Sequence, residues 1–232
     1  MSSNRLWPVD RGIAVAVLVV LFALGFSSSM ALLGDVNATH AKQMERRWEK
    51  SSATLNSSQW QAADAYLHSA LNLSPAHPDY LQALGRLSSW YLLMDDTPTG
   101  QQQAAQGLAY FRDAVKQRPY WAYGWSEFAL LKAQAGQLDD EFNLAVKAAL
   151  QQGPYEKQVL TNVLNAGLGV WPQLTLMQQL EVHQLFRRMV ALRWTAADAM
   201  RLVEFHGLKT GFCYGLNEDP EVSQWVKRRC PN

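Results

Sequence analysis

Histidines and acidic residues are the side chains that could bind a metal or transfer protons, and their spacing favours neither chemistry. The five histidines lie at positions 40, 68, 77, 183 and 206, and none fits HExxH or another metal-ligand pattern. Glu204 and His206 lie near the end of a predicted helix, where the helix dipole favours a histidine. The sequence contains no nucleophile elbow, Walker loop or GxGxxG. We therefore predict that the protein is not an enzyme, with no catalytic residues, no metal site and no cofactor.

Two pairs of adjacent aspartates have different interpretations. Asp139-Asp140 precedes an amphipathic segment, where acidic residues complement the positive end of a helix dipole. Asp95-Asp96 begins the segment DDTPTG, whose composition is typical of a solvated loop. For this second pair, binding of a cation or of a partner is the alternative.

Aromatic residues indicate binding rather than catalysis. The segment RPYWAYGW contains Tyr120, Trp121, Tyr123 and Trp125. Such side chains can stack on sugar rings or hold an extended peptide. Trp125 has the spacing of a core residue, and packing at a joint between helices is the structural alternative for Tyr120 and Trp121. Whether these residues bind a ligand or pack between helices depends on where the helices place them.

A spacing pattern recurs along the middle of the chain. In ADAYLHSALNLSP, at 63–75, an alanine is followed by a large residue, a second alanine and a proline. GLAYFRDAVKQRP, at 107–119, repeats these offsets with glycine first, and a weaker copy at 141–154 ends in Gly153-Pro154. After each of the first two prolines, large residues and a small one recur in LQALG and WSEFA. Small residues let antiparallel helices approach, large ones fill the space between them, and proline ends the second helix.

This pattern resembles tetratricopeptide repeats, in which antiparallel helix pairs stack into an α-solenoid with a shared core. Leu81 and Phe111 are thirty residues apart, against about twenty in the 34-residue pattern. We therefore expect an inserted loop at 95–100. The first helix of the first repeat is weak, with Trp48 as the clearest anchor of a charged, partly exposed stalk.

The repeat pattern identifies the side chains that would line a concave groove. On the second repeat these are Asp79, Gln82, Arg86 and Ser89, and on the third repeat Tyr123. A groove with tyrosine, arginine and glutamine could hold an extended peptide or stack on sugar rings. The predicted partner-binding residues are Gln82, Arg86, Ser89, Tyr123 and Trp121.

Helical periodicity continues to the end of the chain. KQVLTNVLNAGLG, up to Gly169, and TLMQQLEVHQLFRRMVAL both have helical spacing. The predicted apolar stripe of the second helix comprises Leu176, Leu180, Val182, Leu185, Phe186, Met189 and Val190. We expect Thr195 to cap the next helix, Gly207 to end it, and a short helix to follow from about 220 to 227. No segment alternates as a strand does, so the predicted fold class is all-α.

The chain begins with a candidate membrane anchor. Residues 12–34 carry no charge, and as a helix they would span roughly 34 Å, enough to cross a hydrocarbon core of about 30 Å. A cleaved signal peptide is the alternative, because Ser29-Met30-Ala31 fits a cleavage site. Residues 31–33 extend the apolar run and favour an uncleaved helix.

The two cysteines bear on the compartment. Basic residues flank the span on both sides, and long domains translocate largely regardless of charge, so charge does not orient the chain. Cys213 and Cys230 lie within the last twenty residues. A bridge between them would form in an oxidising compartment and contribute about 3 kcal/mol, and two unpaired thiols are the alternative. We expect a single-pass protein of the bacterial inner membrane with its C-terminal domain in the periplasm.

Composition excludes two broad classes. Hydrophobic residues make up 48% of the chain and charged ones 18%, which is typical of a packed core and not of global disorder. The formal net charge is +1 without a long basic run, so a nucleic-acid partner is not expected.

The whole arrangement resembles a known kind of accessory protein. The anchor, the repeats with FRDAVKQRPYWAYGWSEFALLKAQAG, and Trp171-Pro172 before a long helix resemble accessory proteins of bacterial exopolysaccharide gene clusters. The family is the Vibrio polysaccharide biosynthesis protein of the P type, and the resemblance covers roughly residues 10–205. It implies an inner-membrane protein whose periplasmic domain serves polysaccharide assembly or export. It supplies no active-site residues.

The sequence therefore predicts a non-catalytic, membrane-anchored helical-repeat adaptor that docks protein partners of a membrane-associated complex. A glycan-binding or glycan-processing module that uses the aromatic segment 120–125 is the alternative. The predicted divisions are a short cytoplasmic N-terminus at 1–11, a transmembrane helix at 12–34, a stalk with the first weak repeat helix at 35–58, repeats at 59–155, and a C-terminal helical region with a candidate disulfide at 156–232.

Overall fold

The computed structural model describes the chain except residues 1–7, 52–54, 96, 215, 217–221 and 231–232. All regular structure in this described part is helical, which confirms the all-α prediction. The helices are α1 (Pro8–Lys50), α2 (Ser57–Leu73), α3 (Pro78–Met94), α4 (Pro98–Gln117), α5 (Ala122–Gln134), α6 (Asp140–Gln152), α7 (Lys157–Gly169), α8 (Leu176–Ala191), α9 (Ala196–Phe205), α10 (Lys209–Cys213) and α11 (Gln224–Lys227). Two compact units divide the chain, Met1–Tyr80 and Leu81–Asn232.

Helix α1 runs unbroken through the apolar segment and the charged segment that follows it. It is 43 residues long, so the predicted anchor at 12–34 continues as a helical stalk. Large apolar side chains on the anchor are exposed, with Phe22 at 77%. Within the described residues, Gly12–Lys50 is long and apolar enough to cross a membrane, a test that a signal sequence also passes. The helix therefore indicates membrane anchoring.

The stalk half of α1 packs against α2 to form the core of the first unit. Ala38, Ala41 and Trp48 of α1 are buried. Their spacing of three and seven residues places them on one side of the helix, the side of Trp48, which is the predicted anchor of the stalk. From α2 the buried residues are Trp60, Ala63, Leu67 and Ala70. The Tyr80 hydroxyl donates a hydrogen bond of 2.8 Å to Asp35. Burial and this hydrogen bond raise the pKa of Tyr80 above its usual range.

Helices α3 and α4 approach closely in the second unit because small residues meet large ones. A Cβ on Gly107 would lie 2.4 Å from the Cβ of Ser88, so only glycine fits there. Phe111 is fully buried, and its ring lies over Gly85. These residues belong to the repeated spacing pattern, which therefore predicted a real helix contact.

The central helices end next to prolines or glycines. Helix α4 ends just before Pro119, and α6 ends at the residue before Gly153. Gly136 and Gly207 follow α5 and α9 with φ angles of 69° and 71°, a left-handed conformation that favours glycine.

Two local predictions were wrong. The segment 95–100 is not an inserted loop, because α4 begins at Pro98 and the extra residues lengthen α3 and α4 to 17 and 20 residues. Of its two aspartates, Asp95 accepts a hydrogen bond of 3.0 Å from the backbone of Thr97, and Asp96 lies outside the described residues. The last helix spans Gln224–Lys227, shorter than expected.

The C-terminal cap and stripe predictions also need correction. Thr195 does not cap α9, because its hydroxyl donates to the carbonyl of Met189 at 2.6 Å. Thr175 instead forms a capping box at the start of α8. Leu176 and Leu180 are 81% and 49% exposed, so the buried stripe of α8 begins further along the helix. Its buried members are Leu185, Phe186, Met189 and Val190.

A buried ion network joins α4, α5 and α6. Lys132 of α5 is completely buried and donates to Glu141 at 2.7 Å and to Asp139 at 3.0 Å. Arg112 of α4 binds both oxygens of Glu141, at 2.7 and 2.8 Å. Burying an ammonium group is costly unless it is paired, so Glu141 compensates Lys132 and Arg112 together. Its hydrogen bonds from Arg112, followed by those from Lys132, lower the pKa of Glu141 from 4.5 to about 2.

The C-terminal segment is bonded covalently to the helical core. Cys213 and Cys230 form a disulfide across 17 residues of sequence. Both cysteines are buried in the cluster that includes Val203 of α9 and Phe212 of α10. The bridge confirms the predicted pairing and indicates an oxidising compartment.

The substitution Glu141→Gln is expected to destabilise the protein at neutral pH. The folded-state pKa of Glu141 is about 2, below its ordinary value of 4.5. Its contribution to stability is therefore fully present above pH 4.5 and is lost as the pH falls towards 2. Urea unfolding of the full chain in detergent, followed by circular dichroism from pH 7 to 2.5, should show a wild-type advantage that narrows below pH 4.5. Asp113→Asn, in an exposed pair with Lys116, is the control; an advantage that stays constant down to pH 2.5 would contradict the assignment.

Removal of the disulfide by Cys213→Ala and Cys230→Ala should lower the free energy of unfolding by about 3 kcal/mol, because the bridge restricts the unfolded chain. Urea unfolding with and without dithiothreitol measures this. Reductant should bring the wild-type chain to the stability of the double variant and leave the variant unchanged. Insensitivity of the wild-type chain to reductant would show that the bridge contributes nothing.

Candidate functional site

The predicted partner-binding residues lie on α3 and at the start of α5. Gln82, Arg86 and Ser89 follow one another along α3, and all three are half-buried. Tyr123 lies in the first turn of α5, and the exposed Trp121 immediately precedes that helix. Asp79 lies in the first turn of α3, within the first compact unit.

A carboxylate that sequence reasoning missed joins α3 to α5. Gln82 donates to Glu127 at 2.9 Å, and Arg86 donates to both oxygens of Glu127 at 3.1 Å. The side chains of Arg86 and Glu127 are only 28% and 15% exposed. Because solvent is partly excluded, this charge-assisted contact is stronger than a surface ion pair. Gln82 and Arg86, two of the predicted binding residues, therefore already have an intramolecular partner.

Tyr123 makes the corresponding connection from α5 towards α7. Its hydroxyl donates to Glu156, at the start of α7, across 2.6 Å. This hydrogen bond, together with burial, raises the pKa of Tyr123 above 10. The ring of Trp121 lies 5.0 Å from the ring of Tyr123. Deeper between the same helices, Asn162 donates to Ser126 at 3.1 Å.

We call Gln82, Arg86, Glu127, Tyr123 and Glu156 the first-helix face. Its members come from α3, α5 and the start of α7, and each contacts a neighbour in the set. Their side chains are held in place before any ligand arrives, which lowers the entropic cost of binding. The same contacts occupy part of their hydrogen-bonding capacity, so a ligand would share these groups or exchange partners with them.

Exposed aromatic residues are neighbours of this face in sequence. Tyr120 is 81% exposed, Trp121 44% and Tyr155 68%. Tyr120 and Tyr155 each follow a proline that closes one helix and precede the next helix. The sequence did not identify Tyr155 as a candidate binding residue, because a proline followed by a tyrosine is too short a pattern to do so. By contrast, Trp125 is half-buried, and its indole donates to the carbonyl of Pro119 at 2.8 Å.

The histidines and acids do not assemble into a metal site in the described part of the chain. No group of three or more histidine, cysteine, aspartate or glutamate side chains converges there. His206 contacts Asn165 at 2.8 Å, and burial lowers its pKa. The helix dipole would favour a protonated histidine and so raise its pKa, which is opposite to the lowered pKa of His206. Burial and the contact with Asn165, rather than the dipole, therefore account for the position of His206.

Comparison with known proteins adds no family. No protein-family model matches the chain, and no curated protein matches it either.

A double-mutant cycle should detect the contact between Arg86 and Glu127. Arg86→Met and Glu127→Gln each remove the charge-assisted contact between these partly buried groups, so each should cost about 1.5 kcal/mol although Gln82 still lies beside residue 127. The double variant should lose less than the sum, with a coupling of about 1 kcal/mol. Urea unfolding of the four proteins measures it, and the exposed pair Lys116 and Asp113 serves as a reference with a coupling near zero. Equal, near-zero coupling in both pairs would contradict the described contact.

Proposed function

We propose that the protein is a non-catalytic, single-pass membrane-anchored adaptor that docks protein partners through its first-helix face. One observation carries this proposal: α3, α5 and α7 are joined by ordered side-chain contacts through Glu127 and Glu156. The joined helices provide a preformed surface for a partner. The apolar helix before them would raise the local concentration of that surface near a membrane-bound partner.

The arrangement that would present this surface is a tetratricopeptide-like solenoid. Helices α5, α6 and α7 are each 13 residues long. Helix α5 packs against α4, α6 and α7, and α7 in turn packs against α8. Stacked helix pairs make contacts of this kind, in which each first helix meets its own partner and the next first helix. This packing and the repeated spacing support the proposal.

We place the C-terminal domain in the periplasm of a bacterium, with residues 1–11 in the cytoplasm. The uncharged segment at 12–34 supports anchoring in the inner membrane. The bridge between Cys213 and Cys230 supports an oxidising compartment for the domain. The proposed partners belong to machinery for exopolysaccharide assembly or export, and the resemblance in sequence pattern supports that part.

A glycan-binding role is the second candidate, and exposed aromatics favour it. Tyr120, Trp121 and Tyr155 present flat apolar rings to solvent and are neighbours of the polar first-helix face in sequence. Stacking of aromatic rings on sugars, with nearby hydrogen-bonding groups, is a common basis of carbohydrate recognition. Here a polysaccharide, rather than a protein, would occupy the face.

The adaptor proposal is tested by exchanging the charges of Arg86 and Glu127, which keeps the ion pair between them. Arg86→Glu alone would place two carboxylates together and destabilise the helices. The swap Arg86→Glu with Glu127→Arg keeps an ion pair and reverses the charges shown to a partner. We expect it, combined with Tyr123→Ala, to reduce partner recovery at least about tenfold, which is a loss of 1.4 kcal/mol or more.

Partner recovery is measured by crosslinking the full-length tagged chain in its own cells, followed by mass spectrometry. The matched control is the swap Lys116→Asp with Asp113→Lys in an exposed pair away from the face. Unchanged recovery with the inverted face would refute docking at this surface. Saturable binding of polysaccharide fragments, abolished by Tyr120→Ala with Trp121→Ala and Tyr155→Ala, would favour the glycan-binding role.

A further inference from the structure

A cleft separates α6 from α8, with α7 beneath it. Its volume is about 940 Å³. Val146 and Leu150 of α6, Val163 of α7, and Val182 and Leu185 of α8 form its apolar lining. Val146, Leu150 and Val182 are only half-buried, so their side chains retain apolar surface that the fold itself does not cover. The cleft lies apart from the first-helix face and shares no residue with it.

The dimensions of the cleft follow from the residues that line its two walls. Gln178 donates to Asn143 at 2.9 Å, which joins the starts of α8 and α6 at one end of the cleft. The lining runs from Phe142 to Gln151 on α6 and from Gln178 to Arg188 on α8. At 1.5 Å per residue these walls are about 12 to 15 Å long. That length matches two to three turns of a bound helix.

The rim of the cleft carries an excess of positive charge. Lys147 and Arg188 are exposed, one on each wall, and Glu181 is the acidic residue of the lining. Among the described residues, no ion pair engages Lys147 or Arg188. This contrasts with Lys132, Arg86 and Arg112, which all bind carboxylates. An acidic ligand would therefore supply the counter-charges that the rim lacks.

We propose that this cleft binds an amphipathic helix of a protein partner, with apolar residues at i, i+3 or i+4 and i+7 and acidic residues beside them. Such a helix satisfies its own backbone hydrogen bonds, so it needs only an apolar floor and a charged rim. An extended peptide would need a row of backbone partners along its length, whereas the floor is apolar and the glutamines of the lining, Gln151, Gln178 and Gln184, are spread over both walls. A lipid chain would fit the floor but would leave its outer side in water, whereas an amphipathic helix directs its polar side outward.

Two labelled peptides of about 14 residues test the proposal by fluorescence anisotropy. Both have leucines at i, i+3, i+4 and i+7; one has flanking glutamates, and the matched one has lysines at the same positions. The full chain is used in phosphatidylcholine nanodiscs, because detergent could occupy the cleft. We expect the glutamate peptide to bind at least about tenfold more tightly than the lysine peptide.

Charge reversal identifies the site of binding. Lys147→Glu with Arg188→Glu should reverse the preference, so that the lysine peptide binds more tightly. A misfolded protein would lose both peptides and could not show a reversal. The control is Arg193→Glu with Arg228→Glu, two exposed positions outside the cleft with the same change in net charge. It should keep the original preference.

Other outcomes overturn the proposal. These are equal binding of both peptides, a preference that the cleft variant does not alter, and saturable binding of a fluorescent fatty acid with no binding of either peptide. Val146→Trp should fill the cleft and weaken both peptides, and undiminished binding would also overturn it. The Arg86 and Glu127 swap should leave peptide binding unchanged, which separates failure here from failure of the adaptor proposal.

Discussion

Short helices in this protein depend on burial against their neighbours. A helix of 13 residues is marginal in water by itself, because nucleation is costly and each added hydrogen bond contributes little. Helices α5, α6 and α7 all have this length, and their buried faces include Phe128, Phe142 and Leu160. Tertiary packing is therefore what makes them helices. Close approach through small residues such as Gly107 is the condition for that packing.

Polar contacts then add specificity to this apolar packing. Lys132 is fully buried and pairs with the partly exposed Glu141, and Arg112 binds the same carboxylate, so α4, α5 and α6 share one charged cluster. Glu127 joins α3 to α5 in a similar way. Sliding or rotation of one helix would move Glu141 away from the buried ammonium group of Lys132, which would then have only Asp139 as its charged partner. We therefore infer that these pairs fix the register of neighbouring helices.

Particular residues show where sequence reasoning succeeded and where it failed. Trp48, Phe111 and the disulfide between Cys213 and Cys230 were recognised because spacing or residue type alone identifies them. Glu127 and Glu156 were missed because a glutamate on a helix surface carries no signal of its partner. The loop expected at 95–100 became helix because Pro98 can begin a helix at its first position as readily as it interrupts one. Leu176 satisfied the apolar period of α8 but is 81% exposed, because periodicity identifies one side of a helix and not how much of that side is covered.

The sequence by itself determined the helical class, the apolar N-terminal segment, the ends of α4 and α6 next to Pro119 and Gly153, and the pairing of the only two cysteines. These features depend on local periodicity, on the backbone preferences of proline and glycine, and on the number of cysteines. All of these are properties of the chain alone. Tertiary structure decided which carboxylate holds Arg86 and Tyr123, and which side chains of α6 and α8 remain uncovered in the cleft. The physical reason is that both depend on the distance between residues far apart in sequence. That distance is set only when helices pack.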